Sequence, residues 1–459
     1  MRISNIVVKE LFGNRSLEYK IELNDEPPIT ILHGPNGAGK TVIFKMVAGL
    51  FGATGVDPEI FMRYPFREFK VQFHNGEHIR VTREYDARKD RYLAPRVAHS
   101  EYKTPYRLDA DILIRNRLDR LPRSLRNRYV HGDLSASELL TLLPDDVFGY
   151  DVENPLSENM FIFEKFPRKR SEEPPAWLRE LPSALDVQIV STDRLFVRRA
   201  ESERHSSRHR PENTSTRAAV VENSRDLERR INGVIRNANT QENTLNSAFP
   251  SRVVKSVNDG NRESWSFETV QPKLEQLKEE RGRLVDVGLI DPGEELQVDR
   301  YDDKTLGSVL KIYIEDSQKK YGEYKELADK ITLYKTMVEE LMKDKELLVS
   351  KDKDEDRGGY TFINRNNKRE IPLRELSSGE QHIIVLMYNL LFRSSREVDE
   401  LILIDEPEIS LHIAWQKQFV NYLEKIAELS PFDVMIATHS PHVVNARWDL
   451  EVPLVGLHT

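Results

Sequence analysis

Four short strings carry residue types suited to one piece of chemistry: GPNGAGKT at residues 34–41, LSSGEQ at 376–381, LILIDEPE at 401–408 and ATHS at 437–440. In the first, Gly34, Gly37 and Gly39 let the backbone curl so that amide N–H groups converge on phosphate oxygens, with Pro35, Asn36 and Ala38 filling the loop. A helix beginning at Lys40 adds the positive end of its dipole. Lys40 is then a point charge for the β and γ phosphates, and the Thr41 hydroxyl a ligand for Mg²⁺. In the third string, four apolar residues end in two acids. Asp405 is expected to hold Mg²⁺ through water, and Glu406 to polarise an attacking water. His439 follows the apolar run VMIAT, at a strand end where its imidazole can sense the γ phosphate. The second string opens a helix: Ser377 and Ser378 can cap it, Gly379 lets the backbone approach closely, and Glu380 belongs to the same anion-ready end.

Positioning these groups requires strands that end at a common edge. Residues 1–33 alternate apolar and polar positions in ISNIVVKEL and SLEYKIEL and close on the continuous run ITILH. That is the pattern of an antiparallel pair feeding a buried central strand. TVIFKMVAGLF has helical spacing, so strand, loop and helix follow in the order a phosphate-binding loop needs. FREFKVQF and HIRVTREY flank Asn75-Gly76, a hairpin signal. LDVQIVSTDRL at 185–195 is expected to be another buried core strand, and the polar SERHSSRHRPENTSTR after it a mobile loop. Tyr321, Tyr324, Leu327, Ile331, Tyr334, Val338 and Leu341 recur at steps of three and four, which makes a helical stripe. It fits either a helical hairpin packed on the lid or a projecting coiled coil that pairs with another subunit. No tandem repeat of fixed period is present.

The chain has 459 residues, 31% of them charged, a net charge of -8 and no cysteine. Disulfides and thiolate metal sites are excluded, and bulk attraction to nucleic acid is not expected. The amino terminus lacks the pattern of an export signal, and no run approaches the roughly 18 apolar residues of a membrane span. The expected location is the cytoplasm, with no membrane partner.

As a set, the strings resemble the ABC-type P-loop ATPases related to RecF, the SMC proteins and the OLD-family nuclease ATPases. The likeness covers roughly residues 1–85, 185–200 and 360–445, with about twenty-five residues separating the LSSGEQ signature from the Asp-Glu pair. It implies an α/β ABC-type head with a mixed central sheet, an antiparallel β subdomain, an inserted helical lid, and a helical hairpin or short coiled coil. The domains expected are 1–100 (head, amino-terminal part), 101–184 (helical Arg-rich insertion), 185–200 (core strand of the head), 201–358 (lid and arm) and 359–459 (head, carboxyl-terminal part). The resemblance further implies ATP and Mg²⁺ as cofactors, hydrolysis to ADP and phosphate, and a homodimer or higher homo-oligomer. In such an assembly the signature of one head meets the γ phosphate held by another.

Two departures stand out. EPEISLH places His412 where transporter ATPases carry an aspartate, which looks like the OLD-like branch of stand-alone prokaryotic ATPases. No Q-loop glutamine is found, and Asp193 and Arg194 take its place. Twenty residues follow His439, so a Toprim nuclease domain is not expected in this chain and a nuclease is expected only as a separate partner. With TLNSAFPSR at 244–252 and the inserted helices, the chain is similar to the AriA-like ATPases of PARIS anti-phage systems. The PtuA-like ATPases of Septu systems, which pair with an HNH nuclease, come second. A Toprim or HNH effector and a phage protein trigger are the partners implied.

Two basic islands remain, Arg115, Arg117, Arg120, Arg123, Arg126 and Arg128, then Arg194, Arg198, Arg199, Arg204, Arg208 and Arg210. They suit a solvated face, an acidic protein surface or phosphates, and poor aromatic interleaving argues against single-strand stacking. Nucleic acid is thus allowed but not required. A regulatory ATPase of a defence complex and a DNA-repair ATPase that clamps DNA both remain open. A transporter motor fits poorly with the split head and the His412 loop.

Overall fold

A computed structural model describes residues 1–52, 55–88, 91–102, 104–108, 125–126, 128, 174–191, 196–197, 217–259, 264–293, 296–351, 359–392 and 399–454. Its centre is a five-stranded parallel sheet in the order Asp186–Ser191, Glu400–Asp405, Asp433–Thr438, Ile29–His33, Glu451–Pro453. The register pairs Ser191 with Asp405, Asp405 with Ala437, and Thr438 with His33. The carboxyl ends of the strands therefore form one edge, the edge at which ligands bind in open α/β sheets.

Alternate residues of these strands enter different cores, because successive side chains of a strand point to opposite faces. Ile29, Ile31, Ile402, Ile404, Val434 and Ile436 pack with the helix Ser378–Phe392 and the long inserted helices. Leu32, Leu401, Leu403, Met435 and Ala437 pack with the helix Lys40–Leu50 and the strands of a second sheet. Both faces of the sheet are covered, which is why LILI and VMIA read as unbroken apolar runs.

The second sheet is antiparallel, six-stranded, and begins with Glu18–Glu22, Ile3–Lys9, Glu68–Phe73 and His78–Thr82. Gly76, at φ 88°, makes the turn of the hairpin expected at Asn75-Gly76. The central sheet was expected to be mixed; among the described residues it is wholly parallel. Strands joined by short turns pair with one another in the separate sheet, while successive central strands are joined by connections of a dozen or more residues. A second difference concerns Asp186–Ser191, expected to be buried. It lies at the sheet's end in this order, and its residues from Asp186 to Val190 are half-buried.

The inserted helices Ala219–Asn258 and Lys304–Leu341 run antiparallel, bridged by Glu242 to Lys320 at 2.7 Å and by Arg252 to Asp316. At 38 residues the latter extends about 57 Å. Of the apolar stripe, Tyr324, Leu327, Ile331, Tyr334 and Val338 are buried, while Tyr321 and Leu341 are half-buried. A third helix, Phe267–Asp286, packs on the outer part through Val270, Leu277, Leu310 and Ile314. The root is fastened to the head: the Tyr334 hydroxyl donates to Ile384 O at 3.3 Å and the Tyr388 hydroxyl to Asp226 Oδ2 at 2.8 Å. The rings of Tyr334, Tyr360, Tyr388 and Phe392 pack mostly edge to face, each such pair adding about 0.5–1.5 kcal/mol beyond its buried area. Strands Lys345–Val349 and Tyr360–Asn364 pair antiparallel, across the boundary expected at 358/359. No helix among the described residues is long and apolar enough to cross a membrane.

Candidate nucleotide site

From His33 the chain turns through residues 34–39 into the helix Lys40–Leu50. Gly37 and Gly39 take φ of 84° and 95°, the left-handed region that glycine enters without cost. A Cβ on Gly39 would fall 2.6 Å from Leu11 Cδ2, the movable end of a side chain in the turn between two strands of the antiparallel sheet, so it is the backbone conformation that calls for glycine there. Tyr19, on that sheet, donates its hydroxyl to Ala38 O at 2.9 Å, and burial raises its phenol pKa. The nearly buried Lys40 ammonium donates to Gly34 O at 2.7 Å and Pro35 O at 3.1 Å, folded back over its own loop. Those carbonyls satisfy a cation that would otherwise be costly to bury.

Thr41 opens the same helix one residue later, with its hydroxyl close enough to the side chain of Asp405, at the carboxyl end of the strand Glu400–Asp405, to favour the charged carboxylate. Burial raises the Asp405 pKa above the usual carboxylate range, against the opposing pull of the Thr41 hydroxyl, Lys45 and Lys40. Asp405 Oδ1 is buried without a hydrogen-bond partner. An orphaned carboxylate oxygen next to a hydroxyl is a hard-oxygen donor pair, and it fits Mg²⁺, which keeps several waters and takes further ligands from phosphate. Among the described residues no group of three or more acids and histidines is gathered into a cage of protein ligands.

Glu406 follows at φ 47°, ψ 55°, a left-handed conformation that costs a residue with a side chain about 1–3 kcal/mol. Its amide donates to Ala437 O at 2.8 Å, fixing the turn to the adjacent strand. Two residues on, Glu408 is nearly buried and its Oε1 accepts from Thr438 Oγ1 at 2.7 Å and from His439 N at 2.9 Å. His439 Nδ1 lies 3.0 Å from the same oxygen, and 44% of the imidazole side chain is exposed. The sequence reading missed Glu408. Its only signal was the second acid of EPE, whose partners lie thirty residues away and meet it only through strand pairing.

At the signature, Ser377 Oγ accepts from Glu380 N at 3.3 Å while Glu380 Oε2 accepts from Ser377 N at 2.9 Å. This is a capping box. Ser377 rather than Ser378 is therefore the side-chain cap, and Glu380 is engaged in the cap and with Lys345 Nζ at 2.7 Å. Gly379 lies in the first turn, half-buried. Its helix belongs to the core on one face of the central sheet, whereas the helix of Lys40 and Thr41 belongs to the core on the other. His412 is the cap of the helix Ile413–Leu429, its Nδ1 accepting from Ala414 N at 3.3 Å.

Phe12 was also overlooked. At φ 60° in the turn Leu11–Gly13, its ring lies 3.3 Å from where a Cβ on Gly39 would sit and is 44% exposed, 6.4 Å from the Tyr64 ring. Nothing in the local pattern of KELFG marks an aromatic surface beside the loop. Asp193 and Arg194 lie outside the described residues, as does most of both arginine islands, and Arg126 and Arg128 are the exceptions.

A family model described as an AAA ATPase domain matches residues 1–444. Similar solved structures include an Smc head domain from Pyrococcus furiosus with an extended coiled coil, bound to the C-terminal domain of ScpA. It is 13% identical, with 96% of this chain and 91% of that one covered, at a TM-score of 0.33. The SMC head domain from Thermotoga maritima is 11% identical, with 97% and 92% covered, at a TM-score of 0.34. A search among curated proteins returns no match.

Proposed function

This chain belongs to the AAA ATPase domain family, and from that premise we propose that it hydrolyses ATP to ADP and phosphate in a site shared between two heads of the ABC type. The observation that carries the reading is the half-buried Asp405, one carboxylate oxygen of which is buried and unpartnered, beside the Thr41 hydroxyl at the phosphate loop. Amides of residues 34–41 cradle the phosphates, and Lys40 exchanges its loop carbonyls for β and γ phosphate oxygens. Thr41 and Asp405 would hold Mg²⁺, which when bound neutralises charge on those oxygens. Glu406 polarises the attacking water, and His439 addresses the γ phosphate. The exposed ring of Phe12 offers a stacking surface for the adenine base.

Sharing between heads is supported by the placement of the phosphate-loop helix and the signature helix on opposite faces of one sheet. A signature so placed is suited to meet nucleotide on a second copy, through Ser377, Ser378 and Gly379. In the cell we propose that head closure, transmitted to the long helices, makes the protein a cytoplasmic sensor and regulatory scaffold of an anti-phage complex. It would control a separate Toprim or HNH nuclease in response to a phage protein. The OLD-like EPEISLH string and the arm rooted in the signature helix support this reading.

Two substitutions test the site. Lys40→Ala is expected to abolish ATP binding in equilibrium titration. Glu406→Gln is expected to keep ATP bound while lowering turnover by about 100-fold or more, in the range of a lost general base. Undiminished affinity in the first or unchanged turnover in the second contradicts the assignment. Co-purification with products of neighbouring genes tests the cellular role, and recovery of the ATPase without any nuclease contradicts it.

A further inference from the structure

We infer that Glu408 is a positioning residue for hydrolysis: it fixes the imidazole of His439 as the Nδ1–H tautomer and so presents Nε2 to the nucleotide. The inference rests on the reading of His439 as the group that addresses the γ phosphate.

The protons can be assigned from the bonds themselves. Glu408 Oε1 meets three groups: Thr438 Oγ1 at 2.7 Å, His439 N at 2.9 Å and His439 Nδ1 at 3.0 Å. A backbone amide can only donate, so Oε1 accepts there. Thr438 Oγ1 itself accepts the amide proton of Ser440 at 3.0 Å, which turns its own proton toward Glu408. With two protons already directed at it, Oε1 carries none, and Nδ1 must bring a third. In the neutral ring Nε2 is then unprotonated and outward.

The surroundings hold this arrangement in place. Gln416 Nε2 donates to Glu408 O at 3.2 Å and Leu411 O at 2.9 Å, while its Oε1 accepts from Ser440 Oγ at 2.9 Å. One buried amide thus joins the turn carrying Glu408 to the loop carrying His439. Thr438 pairs with His33, the residue before Gly34, so the backbone of His439 leaves the sheet alongside the base of the phosphate loop. A carboxylate on the inner nitrogen is the arrangement by which proteins set a histidine's tautomer and ring direction. A proton on Nε2 would leave the Nδ1 bond undisturbed, and the carboxylate behind it would balance an imidazolium gripping a γ phosphate oxygen.

The test has one arm without nucleotide. Two-bond ¹H–¹⁵N correlation spectra of the full chain labelled at histidine are recorded at alkaline pH, with His439 assigned by its loss in His439→Gln. The Nδ1–H pattern is expected in the native protein, and an Nε2–H pattern would overturn the inference whether or not the protein proves to be an ATPase. The second arm is kinetic. Glu408→Gln keeps the shape and an acceptor oxygen but loses the charge, and it is expected to lower kcat about 10-fold to 100-fold with KM for ATP within about twofold, the scale at which an orienting partner usually acts. Added to His439→Ala, it is expected to cost no more than about twofold further, because its effect passes through that ring. A full additive loss in the double variant would show a structural role instead and overturn the inference.

Discussion

Glu400 sits at the end of its strand remote from Asp405, only 3% exposed, with Oε1 accepting from Gln188 Nε2 at 2.9 Å and Oε2 without a partner. Burial, aided by the facing carboxylate of Asp186 and opposed by Lys330, pushes its pKa up to about 7. An unfolded chain releases that proton near ~4.3. Between those values the folded state binds more protons than the unfolded one, so stability falls as pH rises through the window, and the cost is fully present above about 7. Glu400→Gln removes the titration while keeping the acceptor for Gln188. It is expected to raise unfolding stability by about 1–3 kcal/mol at alkaline pH and to lose most of that gain in mild acid. Urea unfolding at the two pH values checks this, and an equal gain at both would show that Glu400 does not titrate in the window.

Elements transmit what residues do locally. The signature helix Ser378–Phe392 is tied to the arm by Tyr388, whose hydroxyl shares Asp226 Oδ2 with Arg230 Nε at 2.7 Å. Burial alone would raise the Asp226 pKa, but the bonds from Arg230 and Tyr388 overcome it and hold the carboxyl below its ordinary value. Tyr388→Phe deletes one bond to a charged acceptor and leaves the Arg230 bond, at an expected cost of about 1.5–3 kcal/mol in denaturant unfolding. Faster hydrogen exchange at the root of Ala219–Asn258 is expected with it, and unchanged exchange there would show that the bond does not tether the arm. Much of this scale was legible in the sequence. LILI, VMIA and ITILH announced central strands because a parallel sheet covered on both faces admits no polar alternation. DVQIVS carried a similar signal yet lies at the sheet's end, since neighbours in space decide that and composition does not. The phosphate loop could be read because its chemistry is local, running from Gly34 to Thr41. Glu408 and Phe12 could not, because each gains its place only when a distant strand or loop arrives beside it.

At the scale of the whole molecule, the two halves of the proposed site lie on cores separated by the central sheet, and a complete pocket is expected only where two copies meet face to face. The long helices spring from the half that carries the signature, so closure of the pocket and movement of the arm are expected to be one event. The chain's lack of cysteine permits a direct measurement. Asn36 and Ser378 are both exposed, one on the phosphate loop and one at the signature. In the full chain carrying Asn36→Cys, Ser378→Cys and Glu406→Gln, a short thiol cross-linker is applied with and without ATP and Mg²⁺. A covalent dimer that forms with nucleotide and not without it is the expected result. Nucleotide binding that persists with no such dimer would contradict a site shared between two heads.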